Sequence, residues 1–266
     1  MPPAAGSSSP ADKRQEMVQG MRLIEEGKLV EGRAALSKLL TAHPSLSRAD
    51  EQQVRDVVAS VNDDLIFSPK ITPGDPLVER YVVQSGDLLA RIAPRYKVTY
   101  QLLEQINATP ARNLQAGKAI KLVKGPFFAV VSKSQFRMDV YLTGPDGLPV
   151  YIRSFPVGLG ENDYTPTGTW VIKKGSKTVN PDWRNPNTGE YFAANDPKNP
   201  IGEYWLALEG LDGDALGKQG FGIHGTIDPD SIGRQMSLGC IRLNPPDIEQ
   251  VFKLLVDGES KVYVVR

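Results

Sequence analysis

The chain has 266 residues, 40% of them hydrophobic and 23% charged, enough apolar material for two or three domains with real cores. Lysine plus arginine and aspartate plus glutamate each number 31, which removes the electrostatic signature of a nucleic-acid binder or a charge-driven membrane binder. One cysteine excludes an intramolecular disulfide, no apolar run reaches the roughly 18 to 20 residues of a membrane helix, and the start MPPAAGSSSP lacks a signal-peptide core.

Residues 1–10 are Pro, Ala, Gly and Ser apart from the initial Met, too polar and small to order themselves, and are expected to be disordered. Residues 11–66 read as helical. Met17, Met21 and Ile24 share one face ahead of Gly27, and Leu29, Ala34, Leu36, Leu39 and Leu40 suit a second helix ending before His43-Pro44. Val54, Val57, Val58, Val61 and Leu65 follow helical spacing in a third. The first two suit a tetratricopeptide-like hairpin, but such a unit cannot hide its apolar face alone, so a small bundle packed on the next domain is the favoured reading. A docking element for a protein partner is the alternative. His43 has no partner motif and reads as a surface residue. Residues 67–79 hold three prolines and a glycine, a linker signature.

Tyr81-Val82-Val83 reads as a strand, with Ser85-Gly86-Asp87 as its turn and Asp87 as the N-cap of a helix bearing Leu89, Ile92, Ala93 and Tyr96. Thr99 caps a second helix with Leu102, Leu103 and Ile106, and Gly117 turns the chain into the strand Ala119 to Leu122. This βααβ unit, residues 80–123, resembles a LysM module through its Y-x-V-x-x-G-D opening and the later Leu114-Gln115-Ala116-Gly117. The resemblance implies binding to N-acetylglucosamine-containing glycans such as peptidoglycan. The groove would lie between Ser85, Gly86, Asp87, Leu88 and Leu114, Gln115, Ala116, Gly117. Leu88 stands where the family usually has threonine.

From Phe127 the period changes to two. Phe136, Met138, Val140 and Leu142 alternate with Gln135, Arg137, Asp139 and Tyr141, the pattern of a strand with one buried face. Gly144 to Gly147 supplies a turn, and Val150-Tyr151-Ile152 starts the return. Gly168 to Ile172, Tyr204 to Leu208 and Lys261 to Val265 are further strands. Asp247 is expected to cap a late helix bearing Ile248, Val251, Phe252 and Leu255, with Gly258 as its stop.

The lone cysteine and one of the two histidines fall in HGTIDPDSIGRQMSLGCIRL, with His224 sixteen positions before Cys240. A thiol attacks only as thiolate, so it needs a base, and an imidazole can take the proton and return it to a leaving amine. Gly239 lets the backbone run close to a substrate, and the amides of Gly239 and Cys240 could face a developing oxyanion. The Gly225 carbonyl is free to fix the histidine tautomer. Arg242 could brace the loop or meet a substrate carboxylate.

Residues 127–266 resemble the catalytic domain of bacterial cell-wall L,D-transpeptidases. The signature matches His224, Gly225 and Thr226, then Ser237, Gly239, Cys240, Ile241 and Arg242. Thr165-Pro166-Thr167-Gly168, Pro181-Asp182-Trp183 and Asn199-Pro200-Ile201-Gly202 also fit. The resemblance implies attack by Cys240 on the bond between meso-diaminopimelate and the terminal D-Ala of a tetrapeptide stem, with His224 as base and then acid. Gly239, Ser237 and Gly225 would orient the site or bind the oxyanion, and Arg242, Thr226 and Trp183 would face the substrate. It also implies acylation by carbapenems, peptidoglycan strands and stem peptides as partners, and a cell-envelope location. Many members carry histidine where Leu238 stands. The segment from Asn180 to Gly202, with Trp183 and Tyr191, reads equally well as a lid or as a packed loop.

The expected fold class is therefore multidomain α+β: a helical N-terminal region, a βααβ LysM-like module and a mostly β catalytic domain with a late helix. No Cys pair, H-E-x-x-H or glycine-rich phosphate loop is present, so neither metal nor cofactor is expected. Water as acceptor would make the enzyme an L,D-carboxypeptidase or endopeptidase. An idle catalytic domain would leave a peptidoglycan-binding scaffold.

Overall fold

The computed structural model describes residues 10–41 and 46–266. The disorder expected for residues 1–9 and the surface position expected for His43 lie outside the described residues, and Pro10 already opens the first helix. Contacts divide the chain into two units, Met1–Pro126 with Val140–Ser154, and Phe127–Asp139 with Phe155–Arg266.

The first unit opens with α1 (Pro10–Glu25), α2 (Leu29–Thr41) and α3 (Arg48–Leu65). Ser47 caps α3, its side chain accepting from the Asp50 amide at 3.2 Å. Val54, Val58, Val61 and Leu65 form the buried stripe of α3, each such side chain stabilising the fold by about 1.5–3 kcal/mol.

The prolines of residues 67–79 keep that stretch largely irregular, yet it is fastened at both ends. Arg33 and Asp75, both almost fully buried, form a two-pronged ion pair at 2.6 and 3.1 Å. The fully buried Lys121 donates from Nζ to the carbonyls of Ser68 and Lys70 at 2.9 and 2.7 Å. Burial holds its pKa down to about 8.

The βααβ module comprises β1 (Val78–Val82), α4 (Leu89–Ile92), α5 (Tyr100–Ile106) and β2 (Ala119–Val123), the strands antiparallel. Thr99 caps α5, accepting from the Leu102 amide at 3.1 Å. Asp87 does not cap α4. Its carboxylate accepts from Tyr81 Oη at 2.7 Å and the Gln84 amide at 2.8 Å, closing the turn, and Leu88 is the uncapped N-terminal residue.

After β3 (Phe128–Ser132) come β4 (Arg137–Thr143) and β5 (Pro149–Pro156). The alternation expected of β4 is absent: Asp139 and Tyr141 are as buried as Met138, Val140 and Leu142, while Phe136 sits in the preceding turn at φ +48°. For Tyr141 and the strand that follows, the surroundings lie within the first unit. Asn62 of α3 donates to the carbonyls of Tyr151 and Ile152 at 2.9 and 3.0 Å, and Ser37 of α2 accepts from the Tyr151 amide at 3.2 Å. Tyr151 lies under the Arg55 guanidinium and edge-on to Tyr141, and Arg153 pairs with Asp63. The helices thus satisfy backbone groups of a strand at the end of its sheet.

The second unit contains β6 (Leu159–Gly160), β7 (Gly168–Ile172), β8 (Thr178–Val179), β9 (Trp183–Arg184), β10 (Tyr191–Phe192), β11 (Tyr204–Gly210), β12 (Gly222–His224), β13 (Gln235–Ser237), β14 (Ile241–Arg242), α6 (Pro245–Leu254) and β15 (Lys261–Val265). Its main sheet runs β14-β12-β11-β7-β15-β3, with Val131, Ile172, Leu206, Ile223, Val262 and Val264 buried along it. The late helix starts at Pro245 behind Asn244, so Asp247 lies in its first turn and not at its cap. It ends at Leu254, and Gly258 instead donates to the Ile172 carbonyl at 2.7 Å.

Candidate active site

Two short strands place the chemistry. β12 and β14 run parallel with Ile223 opposite Ile241 and His224 opposite Arg242, which sets Gly222 level with Cys240. Side chains of residues paired across parallel strands share a face, so His224 and Arg242 project to the same side, with Cys240 immediately before β14. The thiol donates toward the Gly220 carbonyl at 3.8 Å, and the Gly222 amide donates to the sulfur. Cys240 is partly exposed, so reagents can reach it.

His224 is 3% exposed. Its Nδ1 lies 2.6 Å from the Gly225 carbonyl, so Nδ1 carries the proton and Nε2 is left as the basic atom. The ring stacks on Trp205, its partner across the strand pair, at 5.7 Å between centroids. Burial pulls the imidazole pKa down to about 4, outweighing the Gly225 and Ile201 carbonyls, which favour the charged ring; the Arg242 charge acts with burial. Burial likewise pushes the Cys240 thiol up, against the Gly222 amide and Arg242. At neutral pH the resting pair is therefore thiol and neutral imidazole, not an ion pair.

The loop before the cysteine is held through nearly every polar backbone atom. Ser237 Oγ donates to the Cys240 carbonyl at 2.7 Å and accepts from the Gly239 amide at 3.1 Å. The Gly239 carbonyl accepts from Thr165 Oγ1 at 2.9 Å. Gly239 has φ +120°, and a Cβ there would stand 2.5 Å from the Phe221 ring, so glycine is required twice over. Because the Gly239 amide is already bonded, it is not an oxyanion donor as the sequence suggested. The Cys240 amide has no partner among the described residues and is the group left to serve.

The remaining expected residues separate clearly. Arg242 is half-buried beside Cys240 and Asp228, its Nε buried without a partner among the described residues. Thr226, expected on the substrate side, is 2% exposed, and its hydroxyl accepts from the Asp228 amide and donates to the Asp228 carbonyl, which shapes a turn. Trp183 stacks on Phe192 at 5.9 Å within the β9–β10 hairpin, with no ring contact or hydrogen bond to Cys240 or His224. In the first unit, Val83 bonds both Lys118 and Gly117 at 2.9 and 2.8 Å. That pairing joins the start of the loop bearing Ser85, Gly86, Asp87 and Leu88 to the end of the one bearing Leu114, Gln115, Ala116 and Gly117, with Leu88 49% exposed. Sequence reading missed Trp205, Gly222 and Phe221, whose positions follow from strand register and loop path, and named Ile201 only as part of a family motif. The one usable signal was the alternation of Gly220, Gly222 and His224.

A sequence profile of the L,D-transpeptidase catalytic domain matches residues 126–264, and a LysM domain profile matches residues 81–123. A Bacillus licheniformis protein named as a candidate L,D-transpeptidase, YkuD, is 32% identical over 187 residues, 67% of this chain and 94% of that protein. Its Bacillus subtilis namesake is 30% identical over 181 residues, again 67% of this chain and 94% of that one. Among solved structures, an L,D-transpeptidase from Mycobacterium smegmatis matches 56% of this chain and 64% of its own at 19% identity. The TM-score there is 0.37, at which the likeness carries no argument.

Proposed function

Because the chain belongs to the L,D-transpeptidase catalytic-domain family and carries a LysM domain ahead of it, we propose that Cys240 cleaves and rejoins peptidoglycan stem peptides while the LysM domain holds the glycan. The observation that supports this reading is the parallel pairing of β12 with β14, in which His224 lies opposite Arg242 and the chain's one cysteine immediately precedes β14.

In this reading Nε2 of His224 takes the thiol proton as sulfur attacks the carbonyl between diaminopimelate and the terminal D-Ala. The Cys240 amide stabilises the oxyanion, a contribution on the order of 3 kcal/mol for one donor. The imidazolium then protonates the departing amine of D-Ala, and an acyl thioester remains. An amine from a second stem attacks the thioester, its proton passing to His224 and then to the leaving thiolate. Arg242, with its unpartnered buried Nε, is suited to brace the loop or meet a stem carboxylate. Carbapenems would acylate the same sulfur. The place of action is the cell envelope, outside the cytoplasm. No described helix is long and apolar enough to cross a membrane.

Disaccharide-tetrapeptide fragments incubated with the native chain should lose D-Ala and give cross-linked dimers by mass spectrometry, and Cys240→Ala should do neither. Trimmed tripeptides without dimers would assign water as the acceptor. Unchanged substrate with glycan still bound would leave a binding scaffold.

A further inference from the structure

A buried threonine stands behind the cysteine loop at a place the reaction scheme does not use. Thr165 is 2% exposed, accepts from the Gly160 amide at 2.8 Å and donates to the Gly239 carbonyl at 2.9 Å. Its own carbonyl accepts from Nζ of the buried Lys133 at 2.5 Å, and the same ammonium bonds the Asp163 carbonyl at 3.0 Å. Gly160 lies so close to the loop that a Cβ there would stand 2.8 Å from Gly239 Cα. Among the described residues the hydroxyl has both its partners on main chain.

The geometry of the peptide unit gives that hydroxyl a consequence. The Gly239 carbonyl and the Cys240 amide belong to one planar trans peptide, so they point in opposite directions and turn together. Whatever fixes the carbonyl aims the amide. Gly239 is the most torsionally permissive residue type, so without a hold on its carbonyl this peptide plane could rotate. Ser237 secures the Gly239 amide and the Cys240 carbonyl, which belong to the two neighbouring peptide units.

We propose that Thr165 is a positioning residue whose hydroxyl, anchored through Lys133, aims the Cys240 amide at the oxyanion of the acyl-transfer step. This rests on the cysteine acyl-transfer reading above. It makes a selective prediction: Thr165 matters to reactions of Cys240 that pass through an oxyanion and not to those that do not.

Two reactions of the same sulfur separate these cases. Acyl transfer from a tetrapeptide stem forms an oxyanion. Alkylation by iodoacetamide is a displacement at carbon that expels iodide and forms none. In the full chain, Thr165→Val should lower kcat for D-Ala release by about 10- to 100-fold, part of the loss typical of a deleted oxyanion donor, with KM little changed. Its alkylation rate should stay within about twofold of native, and Thr165→Ser, which keeps the hydroxyl, should restore kcat; both bounds follow from the hydroxyl acting only on the oxyanion donor. If Thr165→Val does not fold, Thr165→Ala removes the same hydroxyl without pressing a methyl on the Gly160 amide and must show the same split. An unchanged kcat, or an equal loss in both reactions, overturns the proposal and leaves the acyl-transfer reading standing. Absence of acyl transfer in the native chain, with alkylation normal, overturns both.

Discussion

At the scale of the residue, the site holds its acid–base pair neutral. His224 takes a proton in the unfolded chain near its ordinary pKa of 6.5, but in the fold only near 4, because burial disfavours the cation. Between those values the unfolded state binds the extra proton, so stability falls as the pH drops from about 6.5 to 4 and levels off below. The full effect is roughly 3 kcal/mol. Denaturant midpoints between pH 7 and 4 should show a shallower decline in His224→Gln than in the native chain, and equal slopes would contradict the burial argument. Cys240 and His224 were legible in the sequence because cysteine occurs once and histidine twice, and their neighbours match a family signature. The bonding of Gly239 to Ser237 was not legible. Spacing in sequence shows which amides are near a substrate, not which are already paired.

At the scale of the element, what deserves explanation is the β4–β5 hairpin. Its middle, Val140–Ser154, clusters with helices far earlier in the chain, and the Asn62 and Ser37 bonds to Tyr151 span 89 and 114 residues. Replacing Asn62 by Leu keeps the volume but leaves the Tyr151 and Ile152 carbonyls unpaired, and should cost about 1–3 kcal/mol in denaturant unfolding. Ser37→Ala should speed hydrogen exchange at the Tyr151 amide and leave the amides of β15 as they are. No change at Tyr151 would show that the Ser37 contact carries no stability. The period-two pattern of β4 revealed a strand but misassigned its second face. Asp139 and Tyr141 look solvent-facing by type, but Asp139 pairs with Arg137 and Tyr141 packs edge-on against Tyr151. Asp87 and Asp247 were read as caps from composition alone, whereas turn bonding in one case and the Pro245 start in the other moved the helix boundary.

At the scale of the whole molecule, the LysM domain and the catalytic domain were both legible as sequence units, since each carries several separated motifs. What the sequence hid is the fastening of residues 67–79. Prolines marked a linker, but a buried Arg33–Asp75 pair and a buried Lys121 reach it from elements on either side in the chain, and pairings at such separation leave no local trace. Within its own unit the helical region bonds the hairpin through Asn62 and Ser37 and the 67–79 stretch through Arg33. The central claim is that Cys240 carries the acyl group. The most direct test is to quench the full chain during turnover of a tetrapeptide stem and map the adduct by peptide mass spectrometry. A stem lacking its terminal D-Ala, attached at Cys240 and released by hydroxylamine, is the expected result. Turnover with the label on another residue, or undiminished turnover in Cys240→Ala, would contradict it.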